Sequence, residues 1–232
     1  MDLHNFIFSV YPYIVFGVFF LGSWIRFDNE QYTWKSDSSQ LLSKKGLRLA
    51  SNLFHVGIIG LFFGHLAGLL IPHKVFLALG VSDMTHQWVA ISAGTVFGGM
   101  CLLGAVLLWL RRMFTPRVRA ASRWMDINIL GWLALTAFLG LSTIPFSIHH
   151  ANAGDASTMI VLAEWVQSIA YFRPDPDLLR GVDTVYKVHL FLGLSVFLFF
   201  PFTRLVHIWS APITYLIRAY QVVRTKRGLI RS

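Results

Sequence analysis

Four histidines, His55, His65, His189 and His207, lie inside two of the most apolar stretches of the chain, SNLFHVGIIGLFFGHLAGLL and VHLFLGLSVFLFFPFTRLVHIW. An imidazole surrounded by hydrocarbon is unfavourable unless its nitrogens are satisfied, and ionisable groups inside apolar helices mark functional sites by default. Two histidines on each of two segments suit two bis-imidazole sites, each holding the iron of one haem. The single cysteine, Cys101, excludes an intrachain disulfide and any iron–sulfur cluster built by this chain alone. No CxxCH sequence is present, so a haem would be held noncovalently through axial histidines, as in b-type cytochromes. Cys101 itself reads as a small packing residue.

The elements that must position these rings are membrane helices. With 55% hydrophobic residues, 15% aromatic residues and a mean hydropathy of +0.59, the 232-residue chain is too apolar for a soluble domain. Apolar runs of about 20 residues, enough to cross ~30 Å of hydrocarbon, fall near 5–25, 49–72, 87–110, 127–148 and 185–208. The expected fold is an all-α, polytopic bundle of five transmembrane helices. Residues 1–232 form a single membrane domain, with 209–232 as a cytoplasmic tail.

Charge gives the orientation. Sixteen of the 20 Lys and Arg residues flank the first and third connections and the carboxy terminus, and only Lys74, Arg173, Arg180 and Lys187 belong to the other side. The positive-inside rule therefore puts the carboxy terminus in the cytoplasm and the amino terminus outside. Asp2 is the only charged side chain before the first run, which reads as a retained span rather than a cleaved signal. A net charge of +9 raises the question of nucleic acid, but the cations sit at helix ends and no basic domain gathers them. Topology and lipid head groups account for them.

Helix arithmetic sorts the histidines by depth. His55 lies near the cytoplasmic end of the second span, and His65 is ten residues, ~15 Å, further out. The fifth span runs the other way, with His189 near the outer end and His207 near the cytoplasm, ~27 Å apart on a straight helix. Depth pairs His55 with His207 and His65 with His189. The two rises differ by roughly 12 Å, so tilt, inclined macrocycles or a kink at Pro201 must absorb the excess. Gly57, Gly60, Gly64 and Gly68 form a stripe near both histidines of the second span, open equally to a macrocycle and to plain helix packing. Gly94 and Gly98 read as packing residues. His4, His73, His86, His149 and His150 fall at outer ends or connections, where water solvates an imidazole, although His86 and the His149–His150 pair also border any outer quinone or proton-exit site. Arg111, Arg112 and Arg204 stand where haem propionates could pair with them, and topogenic charge explains them equally well.

The segments YPYIVFGVFFLGSWIRFD, QYTWKSDSSQLL, ASNLFHVGIIGLFFGH, RRMFTPRVRA, LGLSTIPFS and FPFTRLVHIWSAP carry a resemblance to the cytochrome b, or gamma, subunit of respiratory nitrate reductase. They are long, lie in loops as well as spans, and together cover nearly the whole chain. The resemblance implies a five-helix anchor in the bacterial inner membrane with two b haems. The family's axial motifs match at His55 and His207 for a proximal, cytoplasmic haem and at His65 and His189 for a distal, outer one. It further implies quinol oxidation beside the distal haem, in the neighbourhood of His65 and His86, with outward proton release. Electrons then reach a cytoplasmic iron–sulfur (beta) subunit and a molybdenum-containing catalytic (alpha) subunit that reduces nitrate. In the second connection some family members carry lysines near the quinol site. This chain has Asp83, Met84, Thr85 and His86, so the basic contact falls to His86. The fourth connection, with Arg173-Pro174-Asp175-Pro176-Asp177, is individual to this chain, and its prolines argue against a continuous helix there.

Three other readings compete. A related diheme subunit could feed a sulfite-reduction or heterodisulfide-reductase-like complex, but the loop matches weigh against it. A histidine-using transporter would want an internal repeat and midplane carboxylates, and nearly every Asp and Glu lies outside the spans or at their ends. A purely structural anchor would leave four imidazoles at membrane depth without a purpose.

Overall fold

In the computed structural model, described for residues 2–34, 39, 41–43 and 46–210, every regular element among the described residues is helical. Five helices are long and apolar enough to span a bilayer: α1 (Leu3–Asn29), α2 (Leu47–Leu70), α3 (Asp83–Phe114), α4 (Trp124–Asn152) and the segment Thr184–Phe202. Before the last comes a helix in the fourth connection, α5 (Ser157–Ala170), and the regular part of the final span is α6 (Thr184–Phe199). Many large side chains on the spans face outward, among them Ile59, Phe63, Val96 and Phe138, each more than half exposed. On a soluble protein such a surface would aggregate; on this one it is the face that meets lipid. The chain is a multi-pass membrane protein. Of the expected 209–232 tail, residues 211–232 lie outside the described residues.

Helices α2 and α3 pack backbone to backbone, because glycine removes the side chains that would keep them apart. A Cβ on Gly57 would lie 2.4 Å from the Cys101 nitrogen, and one on Gly104 would lie 2.3 Å from that of Phe54. Gly98 admits Leu141 of α4 in the same manner, with 2.9 Å to its nearest methyl. The glycine stripe of α2 thus divides by depth. Gly57 and Gly60 serve helix packing, whereas a Cβ on Gly64 would meet nothing and one on Gly68 only the His86 ring at 3.7 Å.

Prolines break three of the spans. Pro12 has no N–H to offer Phe8, whose carbonyl instead accepts from the Trp165 indole at 2.9 Å while the backbone bulges through a π turn at Phe6–Val10. Pro145 interrupts α4, and the Thr143 hydroxyl donates to the Gly140 carbonyl at 2.7 Å. Pro201 ends the regular helix of the last span earlier than the expected 185–208. The chain continues through a 3₁₀ turn at Phe200–Phe202, an extended Thr203 (φ −120°, ψ 178°) and a second 3₁₀ turn at Arg204–Ser210.

The fourth connection is more ordered than its prolines imply. They fall after α5, whose inner face buries Trp165 and Ile169 with Phe8, Leu179 and Tyr186. Gln167 donates to the carbonyls of Leu69 and Ile71 at 3.1 and 3.4 Å, closing the frayed end of α2. A second core, containing Phe19, Phe54, Cys101, Leu133, Phe200 and Val206, fixes the broken end of the last span against α1, α2 and α4.

Candidate functional site

The fold brings the four membrane-depth histidines together in two pairs. His55 and His207 have ring centres 6.4 Å apart at an interplanar angle of 70°, and His65 and His189 have centres 6.2 Å apart at 46°. In every ring Nδ1 is committed to a backbone carbonyl. His55 donates to Ser51 at 2.7 Å, His65 to Leu61 at 2.7 Å, His189 to Thr136 of α4 at 3.1 Å and His207 to Arg204 at 2.5 Å. Those bonds set the tautomer and leave each Nε2 without a hydrogen-bond partner among the described residues.

An imidazole nitrogen lies about 1.1 Å from its ring centre and a metal–imidazole bond is about 2.0–2.1 Å long. Two imidazoles on opposite sides of one metal ion therefore have centres roughly 6.2–6.4 Å apart. Both pairs have that spacing. Among the described residues no cluster of three or more His, Cys, Asp or Glu side chains could enclose a bare ion. Two lone imidazoles suit a metal whose remaining bonds are filled by a planar macrocycle, so the donor set fits haem and does not fit a structural ion site.

The unequal sequence spacings are reconciled by the break at Pro201. From His189 to Phe199, the last residue of α6, is ten residues, the same ~15 Å rise as from His65 to His55. The eight residues beyond run through two 3₁₀ turns joined by the extended Thr203 and carry His207 sideways to His55. Arg26 holds this detour, with Nη1 donating to the carbonyls of Pro201 at 2.6 Å and Thr203 at 2.8 Å. Gly22 lets α1 approach, since a Cβ there would sit 3.0 Å from the Pro201 ring.

His189 has its own cradle on α4. A Cβ on Gly140 would fall 2.8 Å from Cε1 and 3.3 Å from Nε2 of the ring. Sequence reasoning missed both devices. In the sequence Arg26 is one of the sixteen cations that set topology, and Gly140 acquires meaning only from the ring of another helix.

Around the outer pair is a cavity of about 260 Å³ between α2, α3, α4, α5 and α6. His65 and His189 line it with Gly64, Gly68 and Gly140, and the wall continues past His86 and Gln87 to Ser147, His150 and Tyr186. His86 is not simply solvated. Its ring stacks on Phe76 at 4.1 Å. His150 lies between two carboxylates, 3.5 Å from Asp183 and 3.7 Å from Asp155. Gly154, with φ 73°, ends α4 in the left-handed turn that brings Asp155 back toward that ring. The Asp155 carboxyl is held below its ordinary pKa, chiefly by the Ser157 backbone N–H. His4, His73 and His149 stay outside the cavity wall; His4 bonds the Pro176 carbonyl and His73 pairs with Asp83 at 3.2 Å.

The three arginines are engaged within the protein. Arg111 clamps the first connection through Ser39 and Ser43, with bonds of 2.6 Å to the Ser39 hydroxyl and the Ser43 carbonyl. Arg112 is buried with Asp126 at 3.8 Å and donates to Ser122 at 2.8 Å. Arg204 opens the turn that carries His207 and supplies the carbonyl for its Nδ1.

The sequence profile of the nitrate reductase gamma subunit family matches residues 4–226, nearly the whole of this architecture. This chain belongs to that family. It is 48% identical over 225 residues to the respiratory nitrate reductase 1 gamma chain of Escherichia coli K12, covering 97% of this chain and 98% of the relative. The respiratory nitrate reductase 2 gamma chain of the same organism is 50% identical over 227 residues, with the same coverage of 97% and 98%. The nitrate reductase gamma chain of Bacillus subtilis 168 is 37% identical over 218 residues, 94% of this chain and 96% of the relative. As a gamma-family member the chain is the membrane subunit of an oxidoreductase complex, and the two histidine pairs lie inside that subunit.

Proposed function

We propose that this chain is the diheme b-type cytochrome subunit of a membrane-bound respiratory nitrate reductase, with His55 and His207 holding the cytoplasmic haem and His65 and His189 the outer one. The observation that carries the reading is the construction of the pairs. All four Nδ1 atoms are spent on carbonyls, no Nε2 atom has a hydrogen-bond partner among the described residues, and the rings stand 6.2 and 6.4 Å apart. When bound, the haems supply a one-electron path from quinol at the outer face to a cytoplasmic iron–sulfur (beta) subunit, and a molybdenum-containing alpha subunit then reduces nitrate.

What the chain's own residues contribute is position and direction. Helix α2 holds one ring of each pair at fixed depth, about 15 Å apart. The outer cavity, walled by apolar side chains with His65, His86, Gln87 and Tyr186 at intervals, fits a quinol head group. His150, between Asp155 and Asp183, is placed to take protons from that cavity toward the outside. Electrons moving inward while protons leave outward would separate charge, worth ~2.3 kcal/mol per charge per 100 mV. The amino terminus faces out, the carboxy-terminal tail of 209–232 faces the cytoplasm, and the single membrane domain docks its partner there.

The test is a pyridine haemochrome assay and a reduced spectrum of the purified chain. Two b haems per chain are expected. A ratio near zero would sink the electron-transfer reading, and one haem would force the pairing to be redrawn. His65→Ala is expected to lose the outer haem and block reduction of the other by quinol; reduction at the wild-type rate would move quinol entry elsewhere.

A further inference from the structure

One residue in the wall of the outer cavity carries a buried polar atom that has no hydrogen-bond partner among the described residues. Among the described residues four buried side-chain polar atoms have no hydrogen-bond partner, Ser23 Oγ, Arg26 Nε, Gln87 Oε1 and Arg111 Nε. Of the four residues, only Gln87 belongs to the wall of this cavity. Gln87 is 4% exposed, and its Nε2 donates to the Ser147 carbonyl at 3.1 Å. A carbonyl only accepts, so the amide orientation is fixed by chemistry. Oε1 is the free end.

No hydrogen-bond donor among the described residues lies within reach of it. The Ser147 hydroxyl and the Tyr186 hydroxyl, 2.8 Å apart, are bonded to each other. Ser147 thus serves as a hub, holding the amide of α3 through its carbonyl and the phenol of α6 through its side chain. The remaining acceptor asks for a ligand that is mostly apolar, since Ile91, Leu141, Ile144 and Leu190 share the wall, and that carries a hydroxyl donor. A propionate or a quinone carbonyl, being acceptors, would not meet the need.

We propose that Gln87 accepts the hydrogen bond of a quinol hydroxyl through Oε1, and so makes the outer cavity prefer the reduced, protonated form of its substrate over forms without a donor. This deepens the quinol reading and rests on it. Gln87 acts as a specificity-determining residue, and Ser147 positions its amide. Polar groups left unpaired discriminate far better than apolar contacts between a ligand that has a hydroxyl and one that lacks it.

The experiment uses the purified complex, anaerobic and reduced with dithionite in the absence of nitrate, so that no turnover occurs. Calorimetric titrations compare menadiol with its dimethyl ether, 1,4-dimethoxy-2-methylnaphthalene, which has no hydroxyl. Gln87→Met is expected to weaken menadiol binding roughly three- to tenfold, the worth of one hydrogen bond, and to leave the ether unchanged. Gln87→Glu, which retains an acceptor oxygen, is expected to keep the preference for menadiol, and remains informative should the methionine variant fail to fold. Haem spectra identical to wild type show that both sites survive the substitution. Equal losses for the two ligands would make Gln87 a packing residue. An unchanged menadiol affinity, the result expected if only a water meets Oε1, would overturn the assignment while leaving the quinol reading intact. Failure of menadiol to bind the wild-type complex would overturn both.

Discussion

Replacing Gly140 by alanine tests how closely α4 governs the outer pair. The new Cβ would lie 2.8 Å from His189 Cε1, where ordinary contact begins at 3.4 Å, so ring and helix must separate by about 0.6 Å. The same ring donates to Thr136 at 3.1 Å, and recession along that bond would stretch it to about 3.7 Å, outside hydrogen-bonding range. Lost bond and overpacking together cost about 2–4 kcal/mol, against which the helix gains about 0.8–1.0 kcal/mol on replacing glycine by alanine. Under the diheme reading, the net is roughly 1–3 kcal/mol against the site, or about fivefold to 150-fold weaker retention of the outer haem. The haem-to-protein ratio measured by pyridine haemochrome during detergent dialysis should fall from two toward one, with the inner haem's spectrum preserved. Gly193→Ala in α6, where a Cβ meets nothing within 4 Å, should keep both. If Gly140→Ala retains both haems as firmly as the Gly193 control, the close approach of α4 does not govern the ring and the reasoning fails.

Arg26→Gln should strip the two carbonyls beyond Pro201 of their shared cation, at about 1.5–3 kcal/mol per charge-assisted bond, and release the inner haem before the outer one in the same dialysis. Gly104→Val drives a side chain into the Phe54 backbone and should lower the thermal midpoint in detergent by many degrees, while Gly99→Val, facing open space, should leave it nearly unchanged. Asp155 has a depressed folded pKa, so its cap on Ser157, a bond of 2.8 Å, contributes fully above the ordinary carboxylate value of ~3.9 and fades as pH falls through the lowered one. Protection from hydrogen exchange at the start of α5, taken relative to the intrinsic rate at each pH, should fall in that acid window, and Asp155→Asn should remove that pH dependence of the protection.

How much of this was legible in the sequence depended on whether a signal was carried by one segment or by two. The spans could be read because twenty apolar residues in a row carry their own evidence, and the histidine pairs followed from depth along helices of known rise. The break at Pro201 was legible as a kink. Its consequence was not, because a straight helix and a 3₁₀ detour of the same eight residues end in different places. The stripe on α2 was ambiguous until α3 was laid against it, which set Gly57 against the Cys101 backbone and Gly60 against the Phe97 ring and left Gly64 and Gly68 open beside the cavity. Arg111 and Arg112 looked alike as neighbouring cations at a helix end. Helical geometry separates adjacent residues by about 100°, so one reaches the first connection and the other the Asp126 carboxylate. Helix α5 was hidden by the prolines that follow it, although TMIVLAEWVQSIA has helical spacing of its apolar residues.

The two pairs share an asymmetry with a consequence for how the subunit can be tuned. On α2, His55 and His65 each bond the carbonyl four residues back, so both rings are fixed by the same regular helix and move only with it. Their partners are held differently, His189 by the carbonyl of another helix and His207 by a turn that Arg26 ties to α1. One half of each site is therefore rigid, and the other half reports the packing of α4 or α1. Substitutions that shift those helices by a few tenths of an ångström should tilt one imidazole of one pair and leave the remaining three rings in place. Under the diheme reading, the potentials of the two haems can then be adjusted separately from positions that touch neither iron. Gly140 for the outer haem and Arg26 for the inner one are the positions at which the structure predicts the effects to be separable, and the double variant should show their sum, since the two cradles share no residue.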